Sequence, residues 1–262
     1  YAHSDYKVET APMSRLSGYP GAAQAADWLE EQLVQAGLDQ IYRQTFRVPA
    51  PIDEGFLLTA GDSHIPLYGM WPNSARTTGL PSEGLHTTLV YGGHGRLEEL
   101  SGQTILGRTV LLEYDSGRNW LQLFGLGAAA VVFLENSPTT DAPHRHEASL
   151  KFLQVPAHMP RLYARAAQRQ DLLNLAKDGT PIHLSGSMHW RPVEATNILA
   201  LIPGTDPKKS DELVLLAAHY DAVSPVPALA PGAEQAASAA ALLHLARRWA
   251  DQPPARSTAI LL

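Results

Sequence analysis

Apolar and polar positions along the chain separate into a few strong patterns. The stretch GYPGAAQAADWLEEQLVQAGL opens with Gly-Pro turn signals. It then places Ala22, Ala25, Ala26, Leu29, Leu33 and Ala36 on one helix face, with Gly37 as a stop. IYRQTFRVP, 41–49, alternates in part and predicts a strand, and GFLLTA, 55–60, predicts a second one paired with it or close to it. WPNSARTTGLPSEG is rich in Pro, Ser, Thr and Gly and reads as a crossing between domains. TTLVYGG and GRTVLLEY follow as strands. NWLQLFGLGAAAVVFLEN predicts a short helix, a glycine-rich turn and a buried strand over 129–134. SPTTDAPHRHEASLKF reads as a polar loop. VPAHMPRLYARAAQRQDLLNLAKDG gives a short extended piece and a helix over about 165–177, and PIHLSGSMHW gives a further strand.

ATNILALIPG then returns to a sheet pattern, with a strand over 198–202 ended by Pro203-Gly204. LVLLAA, 213–218, shows no polar alternation, as expected for a strand covered on both faces. A helix dense in alanine spans 232–250, and STAILL, 257–262, reads as the next strand. Strand, helix, strand in this order predicts a parallel crossover, right-handed by default. The fold class is therefore α/β. An apolar strand at the end of a domain is an aggregation hazard, so the expectation is that the chain is a piece of a longer polypeptide.

Composition narrows the picture. With 262 residues, 45% hydrophobic and 18% charged, the chain can bury a real core. Its net charge of −6 argues against a nucleic-acid surface. No basic run exceeds two residues and no apolar stretch is long enough to span a bilayer as a helix. The sequence has no cysteine, which excludes disulfides and thiolate metal sites but leaves the compartment open.

Candidate chemistry gathers at LVLLAAHYDAV, where His219 and Asp221 end the apolar strand. Ligands of open α/β sheets bind beyond the carboxyl ends of strands. An imidazole there can hold zinc, and a carboxylate two residues on can fix its ring. Alone, His-x-Asp fits a capped strand better. The other candidates have plainer readings. HRH, 144–146, with Asp141 and Glu147 nearby, reads as a solvated loop. YGGHG lacks dinucleotide-loop spacing and reads as a turn. His244 reads as a packed or half-exposed helix residue. Trp71, Trp120 and Trp190 fit either packing near the domain crossings or a peptide groove. Ser238 has no triad partners at recognisable spacing.

Taken in order, SGYPGAAQAADWLEEQLVQAGL, ATNILALIPG, LVLLAAHYDAV and PGAEQAASAAALLHLAR resemble four segments of one family. These are the co-catalytic di-zinc aminopeptidases of the aminopeptidase Y and glutamate carboxypeptidase type, a family that also contains the non-enzymatic transferrin receptor. The middle of the chain resembles the protease-associated domain often inserted in that family. The resemblance implies a zinc-exopeptidase-like mixed sheet flanked by helices and interrupted by an inserted α/β protease-associated domain. The corresponding segments are 1–70 and 191–262 for the peptidase-like part and 71–190 for the insert.

The resemblance carries over residue by residue. His219 matches a zinc ligand and Asp221 the catalytic-site carboxylate that orients it. The bridging aspartate matches Gln235 when the shared serine is placed on Ser238. A neutral amide is a poor bridge between two dications. Glu234, one position away, could take over only with a shift of register. Ala236 and Ala239 replace the family's Asn and final Gly. The remaining ligands and the general-base glutamate fall after residue 262 by this alignment.

Two functions follow. One is a degenerate or incomplete zinc-aminopeptidase-like domain, holding one zinc or none and serving as a binding or assembly surface. The other is an active zinc exopeptidase holding two. Gln235 favours the first, and the persistence of His219 and Asp221 favours the second. The implied partners are a peptide or protein ligand and, through the parent protein, a larger membrane-associated assembly, with no nucleic acid. The implied location is extracytoplasmic: periplasmic, secreted or on a membrane-anchored ectodomain.

Overall fold

The computed structural model describes residues 14–135, 144–209, 211–230, 232 and 236–262, with side chains from 147 onward in the segment that begins at 144. The chain forms two compact units. One comprises Pro51–Trp190 with Pro225–Ala228 and is called the inserted unit below. The other, the flanking unit, comprises Pro12–Ala50, Arg191–Ser224 and Leu229–Leu262. Residues 51–70 group with 71–190.

The flanking unit begins with α1 (Pro20–Gln35). Pro20 sits at its first position, where a missing N–H costs nothing. Its C-terminus is a Schellman cap: Gly37 N–H donates to Val34 O and Leu38 N–H to Leu33 O, with Gly37 at φ +89°. The sheet of this unit uses the second half of β7 (Pro181–Ile202), β8 (Leu213–Ala217) and β9 (Ser257–Leu261). β9 lies between the other two, antiparallel to β7 (Ile202 opposite Thr258) and parallel to β8 (Leu213 opposite Ser257). The β8–β9 connection carries α6 (Ala236–Asp251), so the predicted parallel crossover is present. Leu29 and Leu33 of α1 and Leu243 and Ala246 of α6 share one buried cluster with Ile198, Ala200 and Ile260 of the sheet. Alanine on α6 allows that close approach.

The inserted unit uses the second half of β1 (Ile41–Ala60), β2 (Ser63–Gly69), β3 (Leu85–Tyr91), the short helix α2 (Leu97–Leu100), β4 (Thr109–Glu113), α3 (Gln122–Gly125), β5 (Ala130–Leu134), α4 (His144–Lys151), β6 (Arg161–Ala164), α5 (Arg169–Asp178) and the first half of β7. β3, β4, β5 and β6 are parallel neighbours. β2 flanks β6 and β7 flanks β3, both antiparallel. β4 and β5 are buried along their whole length.

The structure corrects four expectations. The strands predicted at 41–49 and 55–60 are one strand, β1. Those predicted at 181–190 and 198–202 are likewise one, β7. Pro49 and Pro51 lie within β1 and Pro192 within β7, because proline removes one donor while keeping a φ close to extended values. The loop expected over 137–152 contains α4; residues 136–143 lie outside the described residues. Its last residue, Lys151, is fully buried and donates to Gly117 O at 2.9 Å and Glu147 Oε2 at 3.2 Å, with its ammonium over the rings of Tyr114 and Phe133. Finally, β8 is not covered on both faces. Among the described residues it is outermost in its sheet, and Leu213, Val214 and Leu215 are exposed.

Two predictions follow from backbone and burial. A Cβ built on Gly37 meets nothing within 4 Å, so Gly37→Ala isolates the cost of the left-handed backbone. Stability in urea should fall by about 1 kcal/mol. In β1, Asp53 accepts hydrogen bonds from Gly55 N–H (2.8 Å) and Gly69 N–H (2.7 Å), yet burial pushes its carboxyl up to about 6. The folded state therefore holds this proton more tightly than the unfolded chain does. The associated stability is full below about pH 4 and is lost as pH rises through 6, on the order of 2 kcal/mol. Urea midpoints from pH 4 to 7 should show a drop that Asp53→Asn flattens; parallel profiles for both proteins would exclude this assignment.

Candidate metal centre

His219 and Asp221 leave the carboxyl end of β8, where the last sheet bond is Ala218 N–H to Leu261 O. The His219 ring is exposed, with Nδ1 3.5 Å from Asp221 Oδ1 and 3.4 Å from Asp221 O. Tyr220, between them, points the other way into the core and donates its hydroxyl to Thr196 O at 2.7 Å. Burial raises its phenol pKa. This alternation is what an extended backbone imposes: residues 219 and 221 face one side and 220 the other.

The carboxylate is held from the other end of the chain. Ser17 Oγ donates to Asp221 Oδ2 at 3.0 Å. Ser17 is placed there by Arg15, whose carbonyl accepts from Ala222 N–H and whose N–H donates to Ala230 O, both at 2.9 Å. The Arg15 guanidinium also donates to Gly232 O. Sequence reasoning paired His219 with Asp221 but did not find Ser17 or Arg15. The available signal was a hydroxyl in a turn next to Gly18, just ahead of α1.

Glu234 and Gln235 lie outside the described residues. Among the described residues, no three His, Cys, Asp or Glu side chains converge in a way that could hold a metal ion. The other sequence candidates are placed elsewhere. His94 of the YGGHG turn lies 3.5 Å from Glu99 and 3.4 Å from Asp115, in the inserted unit. Trp120 is fully buried against Phe133 and the Arg161 guanidinium. Trp71 meets Phe152 and Trp190 edge-on. His244 is exposed on α6.

Comparison with known proteins fits this arrangement. The model of peptidase family M28 matches residues 197–262, the span that holds His219 and Asp221. A zinc aminopeptidase from Bacillus subtilis, BSAP, superposes with a TM-score of 0.64 at 21% identity, covering 95% of this chain and 56% of that one. The chain has an M28-type peptidase fold. A peptidase M28 precursor from Shewanella amazonensis gives a TM-score of 0.57 at 17% identity, covering 95% of this chain and 60% of that one. This chain thus spans a little over half the length of the structures it matches. No curated protein sequence matches it.

Zinc in an M28-type fold sets a test for the residues present. A zinc centre takes three or four protein ligands. His219 with Asp221 fits one ligand and its supporting carboxylate, and the described residues complete no more than that. Ser17→Ala should cost about 1 kcal/mol of stability and shift the His219 ring signals in NMR spectra, because Asp221 loses the donor that fixes it. Unmoved His219 signals would show that Ser17 does not position the pair.

Proposed function

We propose that this chain is a zinc-aminopeptidase-like domain that has lost full di-zinc activity. The observation that carries this reading is Gln235, an amide at the position where the resemblance places the bridging carboxylate. An intact centre of this kind supplies an activated water and a polarised scissile carbonyl. Without a charged bridge the second ion has no adequate anchor. The domain keeps its fold and serves as a peptide- or protein-binding surface outside the cytoplasm, with the inserted unit acting as a protease-associated domain. Among the described residues no helix is long and apolar enough to cross a membrane.

One observation favours the alternative, an active exopeptidase. The His219–Asp221 pair is in contact and Asp221 is held by Ser17. The two readings differ in zinc stoichiometry. Elemental analysis of protein purified without chelator should give fewer than two zinc ions per chain. Hydrolysis of an aminoacyl p-nitroanilide should be absent and should not be gained by Gln235→Asp alone. Two zinc ions together with hydrolysis abolished by a chelator would establish the active reading instead.

A further inference from the structure

The inserted unit holds a pair of histidines that the peptidase reading does not use. β3 and β7 run antiparallel, and their register sets His86 directly opposite His183. Ile182 and Leu184 are buried, whereas His183 between them is partly exposed, so the pair lies on the face of the sheet turned away from the core. Side chains directly opposite each other on two antiparallel strands have Cβ atoms about 5 Å apart. The two imidazoles meet there, with ring centroids 4.4 Å apart and planes 25° from parallel.

One of the two rings is already oriented. His183 Nε2 lies 2.9 Å from Glu83 O. A carbonyl only accepts, so Nε2 carries the proton, and the lone pair of the neutral ring is on Nδ1. Metal-binding histidines are held in this way, the second ring nitrogen donating to a backbone carbonyl or a carboxylate. The turn that supplies Glu83 O is closed by Gly84 N–H to Pro81 O at 2.8 Å. Gly84 takes φ +79°, and a Cβ there would collide with His183 Nε2. Glycine at 84 thus lets the turn lie against the ring and fix it. The His86 ring is exposed, and rotation about its χ2 is soft.

We propose that His86 and His183 together bind one late-transition divalent ion, which clips β3 to β7. An ion lies in the plane of each imidazole that holds it, so the stacked rings cannot share one as they stand. His86 turns, and His183 stays where Glu83 and Gly84 fix it. Metal–nitrogen bonds of about 2 Å place the two nitrogens about 3 Å apart, within reach of side chains set opposite each other. Imidazole suits copper, nickel and zinc. The Glu83 carboxylate is engaged by Ser82 Oγ at 3.0 Å, and water fills the remaining positions. Two protein ligands make this a site of modest affinity, in keeping with the lack of a third His, Cys, Asp or Glu beside them among the described residues. Every residue involved belongs to the inserted unit, so the site is separate from His219.

The test is titration of the whole protein with nickel(II) chloride, in a buffer that does not bind metal, followed through the histidine ring signals in NMR spectra. The His86 and His183 signals should change together, with one apparent affinity. His86→Asn should weaken the response of His183 at least tenfold, because one imidazole then acts alone. His64→Asn, at an exposed position of β2, should leave that response unchanged. Nickel should also raise the urea midpoint of the native protein, and raise that of His86→Asn less, since an ion held across two strands favours the folded state. Independent responses of the two rings, a His183 response that His86→Asn does not weaken, or an equal rise of midpoint in both proteins would each overturn the proposal. Should His86→Asn fail to fold, the joint or independent response of the two native rings still decides it.

Discussion

Two backbone hydrogen bonds of Arg15 fix the geometry on which the candidate site depends. Its carbonyl takes Ala222 N–H and its own N–H reaches Ala230 O, so the segment ahead of α1 ties the two limbs of the loop that leaves β8. Each bond contributes only about 1 kcal/mol net. Their effect is larger than that because they are directional and act on segments from opposite ends of the chain. With Arg15 set, Ser17 meets Asp221 two residues further on. The burial of Leu29 and Leu33 against Ile198 and Ile260 keeps α1 where this tie needs it.

Local signals made much of this legible in the sequence. The spacing of α1 and its glycine stop gave a helix within a residue or two of Pro20–Gln35, and the β8–α6–β9 order gave a parallel crossover. Strand length was not legible, because a period of two says nothing about where pairing stops. Pro49, Pro51 and Pro192 lie inside β1 and β7. α4 was missed because its helix is polar by composition, and the residue it buries is a lysine. The run at Leu213 was taken as covered on both faces, but apolarity states only that a strand can be buried. Whether it is depends on what packs against its faces, and among the described residues Leu213, Val214 and Leu215 of β8 stay exposed.

The site divides along the same line. His219 and Asp221 are two residues apart, so a strand-end pattern exposed them together. Ser17 and Arg15 act on that pair from far away in sequence, and a single chain carries no trace of such a pairing. The contact pattern also weighs the two functional readings. Asp221 is part-buried and satisfied by Ser17, so it costs the fold little to keep. His219 is exposed, so it costs little to keep or to lose. The presence of this pair is therefore weak evidence for catalysis.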